Sequence, residues 1–174
     1  MDTGLEQFVV PDDLGETYGF DVLEFEDALA TVGLNPGDVD VIIHTHLHND
    51  HCENDYKCSR AKVYVQKAEM DFFRNPHPID HRYYPDVLDD VDVILSPGHT
   101  VGGQSVAINT SKGKAIITGL CCNDKNFPAT GPAIAPGVHI NVMEAYDSMQ
   151  KIKDMADILI PLHDLAVGKM KTIP

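Results

Sequence analysis

Basic residues are scarce in this chain of 174 residues: 13 lysines and arginines stand against 27 aspartates and glutamates, a formal net charge of -14. A phosphate backbone is held mainly by Lys and Arg, so this balance argues against a nucleic-acid partner. The same acidity suits the solvated faces of a soluble protein, and bound divalent cations would offset part of it. Long apolar runs are missing too. None approaches the ~20 residues needed to span a bilayer, so no membrane partner is expected. No basic start followed by an apolar run marks a secretion signal, which points to the cytoplasm. The four cysteines, Cys52, Cys58, Cys121 and Cys122, make no disulfide framework for a chain of this size, and reduced thiols are expected. No repeat, low-complexity tract or long linker divides the sequence. With 43% hydrophobic residues, residues 1–174 are expected to form a single domain with a real core.

Local patterns place the elements. Val39-Asp40-Val41-Ile42-Ile43 is a β-branched apolar run with the look of a buried strand. Glu24 to Val32 reads as a short helix closed by Gly33 and Asn35-Pro36-Gly37. Lys62-Val63-Tyr64-Val65 reads as a strand leading into a helix from Lys67 to Arg74, which Asn75-Pro76 stops. Strands follow at about 91–96, 104–109 and 114–119, the last two joined by a hairpin turn at Ser111-Lys112-Gly113. From Val142 to Ala156, apolar residues recur at three- and four-residue steps, which predicts a helix with one face on a sheet.

The chemistry concentrates in His44-Thr45-His46-Leu47-His48-Asn49-Asp50-His51. Three imidazoles and a carboxylate fall within the six residues from His46 to His51. The run follows the first predicted strand, so these side chains should sit on a loop leaving a strand end, the usual arrangement of a site on a rigid scaffold. Histidines at i and i+2 can turn toward one cation, while Asp50 and His51 can reach a second beside it. Imidazole suits zinc, iron, nickel or copper, and the carboxylate tolerates zinc, manganese or iron. A His-rich polar turn is the bland reading of one or two such residues, and a poor one for this ordered set.

His46-x-His48-x-Asp50-His51 resembles the signature of the metallo-β-lactamase superfamily, and the resemblance runs further along the chain. Val91 to Thr100 reads as a strand followed by a Pro-Gly turn presenting His99, and Ile158 to Asp164 as a late strand presenting His163. The resemblance implies an α/β fold: an αββα sandwich of two mixed sheets flanked by helices. It also implies that His46, His48 and His99 hold one metal and that Asp50, His51 and His163 hold a second. Zinc is expected, as one or two ions, with iron or manganese as alternatives. His44, His77, His81 and His139 match no ligand position.

Two departures from the family pattern stand out. Where relatives place a bridging aspartate, this chain has Leu120, which cannot coordinate, followed by Cys121-Cys122-Asn123-Asp124. Cys121 or Cys122 as thiolate, or Asp124 reaching back, are candidate substitutes, while buried cysteines acting as small hydrophobes are the bland alternative. Met1-Asp2-Thr3-Gly4 resembles an Asp-Thr-Gly turn that relatives carry after several N-terminal strands. The expectation is therefore a fold lacking its first N-terminal strands, with an exposed sheet edge open to pairing in a homodimer.

The family implies a hydrolase. A bound cation lowers the pKa of its water toward ~7, supplying hydroxide, and polarises the substrate oxygen. Asp50 would orient that water and carry a proton to the leaving group. A small-molecule ester, lactone or thioester is the expected substrate. Val65-Gln66-Lys67-Ala68-Glu69, the Pro-bounded segment around Asp80-His81-Arg82-Tyr83-Tyr84 and Gly102-Gly103-Gln104-Ser105 look similar to the N-acyl homoserine lactonase branch. The Pro-bounded segment reads as an irregular lid or an ordinary surface loop. The alternatives are a glyoxalase-II-like thioesterase and a non-catalytic, metal-binding remnant of the fold.

Overall fold

The computed structural model describes residues 1–4, 23–73, 81–82, 86–88, 91–168, 170 and 172. In chain order it contains α1 (Phe25–Ala30), β1 (Val41–Ile43), α2 (Asn49–Cys52), β2 (Lys62–Tyr64), α3 (Lys67–Phe73), β3 (His81–Arg82) and β4 (Asp86–Leu88). Then come β5 (Val91–Leu95), β6 (Gln104–Thr110), β7 (Gly113–Thr118), α4 (Val142–Met155), β8 (Ile158–Pro161) and α5 (Leu165–Gly168). The smaller sheet has the order β1-β2-β3 and is parallel throughout. The larger has the order β4-β5-β6-β7-β8, antiparallel except for the parallel pair β7-β8.

Period-2 alternation in β6 and β7 sorts the core into layers. Val106, Ala115 and Ile117 face the smaller sheet and bury Ile43 between the two sheets, with Ile160 alongside. Ala107 and Ile116 point the other way, onto Ala145, Met149 and Ile152 of α4. On the far side of the smaller sheet, Ile42 and Val63 pack with Cys58 and Ala61, and Phe25 of α1 covers them. Helix, sheet, sheet, helix is the expected four-layer sandwich.

Helix α4 begins at Asn141, whose side chain accepts from Met143 N–H and Glu144 N–H, the usual N-cap. Residues 145, 149 and 152 form its buried stripe. The first helix is shorter than the sequence suggests, ending at Ala30, because the chain relaxes through a turn into Gly33 at φ 77°. The hairpin at 111–113 is present, closed by Thr110 paired with Gly113. Most of the Pro-bounded segment lies outside the described residues. His81 and Arg82 are not irregular, however: they form β3, in register with Val63 and Tyr64 of β2. Two residues carry too little periodicity to reveal a strand whose partner lies far along the sequence. Among the described residues, no helix is long and apolar enough to cross a membrane.

Strands β5, β7 and β8 run in one direction, so their carboxyl ends share an edge of the larger sheet. The end of β1 meets that edge: Gln104 N–H donates to Thr45 O at 2.9 Å. A Cβ on Gly119, just past β7, would run into Gln104 O and lie 3.0 Å from Thr45 Cβ, so only glycine fits at this junction. Four strand ends therefore converge on the candidate ligands.

Ile152 is fully buried in the helix–sheet layer. Ile152→Ala should cost about 2–5 kcal/mol, read as a lower urea midpoint at unchanged slope. A cost below about 0.5 kcal/mol would mean that this layer is not the core.

Candidate metal centre

The loop after β1 delivers His46 and His48, the turn after β5 delivers His99, and their ligating atoms lie within 4.8 Å of one another. Asp50 and His51, on the one-turn helix α2, meet His163 from the loop after β8 within the same limit. All six of these residues therefore assemble as two triads. The triads share a wall, with the rings of His46 and His51 3.9 Å apart at their centroids.

Cys121 joins neither triad. It is half-buried, and burial together with the field of Asp50 pushes its thiol pKa up. Cys122 is buried 3.1 Å from Thr118 Oγ1, and burial pushes it up to about 11. Leu120 points into the core against α4. Asp124 is exposed in a short turn whose amide is held by Asp164 Oδ2 at 2.8 Å.

Hydrogen-bond partners assign the tautomers. A carboxylate only accepts, so Thr45 donates both its N–H and its hydroxyl to Asp2, each at 2.7 Å. With its one hydrogen spent, Thr45 Oγ1 can only accept from His46 Nδ1–H, 3.0 Å away. His99 Nδ1–H likewise donates to Val138 O at 2.9 Å. Both rings therefore carry their lone pair on Nε2, and these two atoms face each other at 3.1 Å with no proton to share. Burial, reinforced by the charge of neighbouring histidines, lowers His46 to about 2. Burial also lowers His99 and His163. Facing lone pairs in a buried pocket are repulsive unless a cation lies between them, so this donor set fits a metal.

His51 is the buried member of the second triad. Its Nδ1–H donates to Asp2 Oδ2 at 2.8 Å, and its buried Nε2 makes no hydrogen bond, lying 3.5 Å from Asp50 Oδ2. Burial opposes its protonation, but the contacts with Asp2 and Asp50 outweigh that and raise it to about 9. The contact with His51 in turn holds the Asp50 carboxyl well below the usual range. This half is the open one: Asp50 is 44% exposed at its side chain, and a cavity of about 190 Å³ is lined by Asp2, Gly4, Asp50, His51, Leu162 and His163.

Sequence reasoning missed the role of Asp2. Burial works against its charge, yet hydrogen bonds to His44 and His51 hold its pKa far below normal. Through Thr45 it orients His46, and directly it orients His51, so one carboxylate sets one histidine in each triad. His44, left unassigned from the sequence, is fully buried with Nε2 2.6 Å from Asp55 Oδ2. Asp55 also accepts from Thr3 Oγ1 at 2.7 Å, pinning the turn that carries Asp2. The likeness of residues 2–4 to an Asp-Thr-Gly turn was the available signal, but nothing in it says which histidines the carboxylate meets.

No protein-family model matches the chain. It is similar to a probable metallo-hydrolase of Methanocaldococcus jannaschii, 30% identical over 145 residues that cover 83% of this chain and 66% of that protein. It is 29% identical over 143 residues to metallo-beta-lactamase domain-containing protein 1 of Xenopus laevis, covering 78% and 58%. An N-acyl homoserine lactonase of Bacillus cereus is 29% identical over 110 residues, covering 53% and 43%. The chain thus spans about two thirds or less of the curated relatives it matches. Its fold superposes on a solved N-acyl homoserine lactone hydrolase holding the product N-hexanoyl-L-homoserine at its catalytic metal centre. That match has a TM-score of 0.73 at 23% identity, over 99% of this chain and 78% of that one.

Long-range nitrogen–proton spectra of the metal-free protein at pH 7 should show Nδ1–H, Nε2-bare tautomers for His46 and His99. Asp2→Ala should scramble the tautomer of His46 but not of His99, and should destabilise the fold by about 3 kcal/mol or more, since it strands buried partners. An Nε2–H form of His46 in the unsubstituted protein would contradict the assigned network.

Proposed function

The chain belongs to the metallo-β-lactamase superfamily, and from that premise we propose that it is a metal-dependent hydrolase of a small ester, lactone or thioester. The observation that carries the reading is the pair of bare Nε2 atoms, on His46 and His99, facing each other at 3.1 Å beside a second triad of one carboxylate and two imidazoles. His46, His48 and His99 would hold one cation and Asp50, His51 and His163 a second, with zinc, iron and manganese all compatible with this donor set. When bound, such a cation makes water acidic enough to attack near neutral pH and polarises the substrate carbonyl.

The chain's own residues divide the remaining work. Asp50 stays ionised and half-exposed at the cavity mouth. It can accept the proton of the attacking water as the new C–O bond forms, then return it to the leaving oxygen or sulfur as the scissile bond breaks. Asp2 keeps His51 turned to this mouth. The cavity of about 190 Å³ fits a ring or a short ester; a cavity of ~150 Å³ accepts benzene. A longer acyl tail would extend outside it. Likeness to lactonases makes lactones the first class to test, and a glyoxalase-II-like thioesterase remains the alternative within the same chemistry.

A second reading rests on Leu120. Its place in the core leaves no bridging carboxylate among the described residues between the triads, and Cys121 is half-buried outside both. A single cation at the three-histidine triad is the form of hydrolase this favours.

Elemental analysis of protein purified without added metal separates the readings. Two equivalents, falling to about one in His48→Ala, would support the binuclear form. One equivalent, abolished in His48→Ala, would support the mononuclear form. In either case His48→Ala should lower lactone or thioester turnover by at least ~100-fold, and loss of a cation in Cys121→Ala would make that thiol a ligand. Absence of any bound or bindable metal would end the hydrolase proposal and leave the non-catalytic remnant.

A further inference from the structure

Two sequence stretches whose function the site does not absorb, Val65 to Glu69 and Gly102 to Ser105, meet behind the histidines. Glu69 lies in the first turn of α3 and is fully buried. Its Oε1 accepts from Leu47 N–H at 3.1 Å, and its Oε2 accepts from Gly102 N–H at 2.9 Å. Leu47 stands between His46 and His48, and Gly102 follows His99 by three residues. One side chain thus ties the loop carrying two members of the triad to the loop carrying the third.

The chemistry suits a rigid tie. Each carboxyl oxygen holds one backbone N–H, one from each loop, so the side chain bridges both loops at once. A carboxylate removed from water has no comfortable alternative to keeping both donors. Gly102 is part of the device: a Cβ there would lie 2.3 Å from Glu69 N, so only glycine lets this loop reach α3. A parallel link runs through the neighbouring side chain, from Gln66 Nε2 to Gln104 Oε1 at 2.8 Å and from Gln104 Nε2 to His44 O at 2.7 Å.

We propose that Glu69 is a positioning residue whose buried carboxylate fixes the separation of the His46/His48 loop from the His99 loop, and thereby the affinity and geometry of the three-histidine metal site. It belongs to neither triad. The inference rests on the metal reading of that triad.

Cobalt(II) tests it, because its visible absorption reports coordination geometry without any turnover assay. The metal-free 174-residue chain is titrated as the unsubstituted protein, as Glu69→Gln and as Ile152→Ala. Glutamine keeps the shape of Glu69 but sets an NH₂ against one of the two backbone N–H groups. The expected result is a ~10- to 100-fold loss of cobalt affinity and an altered spectrum in Glu69→Gln. Ile152→Ala, which weakens the core at a distance, should keep both. Should Glu69→Gln not fold, Gly102→Ala pushes on the same tie from the other side, and the same loss is expected. Unsubstituted-level affinity and spectrum in the Glu69 or Gly102 variant, or an equal loss in Ile152→Ala, overturns the positioning role while the metal reading stands. No cobalt binding by the unsubstituted chain overturns both.

Discussion

Two bare imidazole nitrogens, His46 Nε2 and His99 Nε2, are held 3.1 Å apart where two sheets meet, and much of the surrounding polar structure answers to that repulsive contact. Left alone, facing lone pairs would turn away from one another. Thr45, backed by Asp2, fixes the first ring, and the Val138 carbonyl fixes the second. Glu69 ties the two loops together from behind. Beneath them, Gly119 and the Gln104 backbone bring the end of β1 against the larger sheet closely enough for the loops to meet at all.

The two halves of the site differ in environment, and the difference follows from which loops build them. The three-histidine triad contains the buried His46 and His99, where burial keeps the imidazoles neutral. The Asp50 triad opens on a cavity, and there Asp50 and Asp2 favour charge on His51. Leu120 marks the same boundary: it serves the helix–sheet core, not the site.

Much of the fold was legible because α4 buries one stripe and the central strands are short apolar runs buried on both faces. The three- and four-residue steps of 142–155 and the β-branched runs of 104–118 report these two kinds of burial, and the hairpin at 111–113 announced itself by turn chemistry. Strand β3 was not legible, since two residues acquire their role only by pairing with β2. Of the six triad residues, His46, His48, Asp50 and His51 were legible from type and spacing, whereas His99 and His163 were placed only by the resemblance to a family, since a lone histidine carries no spacing signal. Asp2, His44, Asp55 and Glu69 were not, because an acid or a histidine that acts through others carries no spacing signature. The partners of their side chains lie 22 to 52 positions away, except for the His44–Asp55 pair at 11.

The sequence by itself determined the main strands, the buried stripe of α4 and the cluster of candidate ligands from His46 to His51, because these depend on residue type and local pattern, while the sandwich and the places of His99 and His163 came from resemblance to a family. Only the tertiary structure decided the tautomers of His46 and His99, the division of the site into a more buried and a more open half, and the joining of the two histidine loops through one carboxylate. Those properties depend on which donor meets which acceptor across the sheet junction, and distances of about 3 Å between remote residues exist only once the chain has closed on itself.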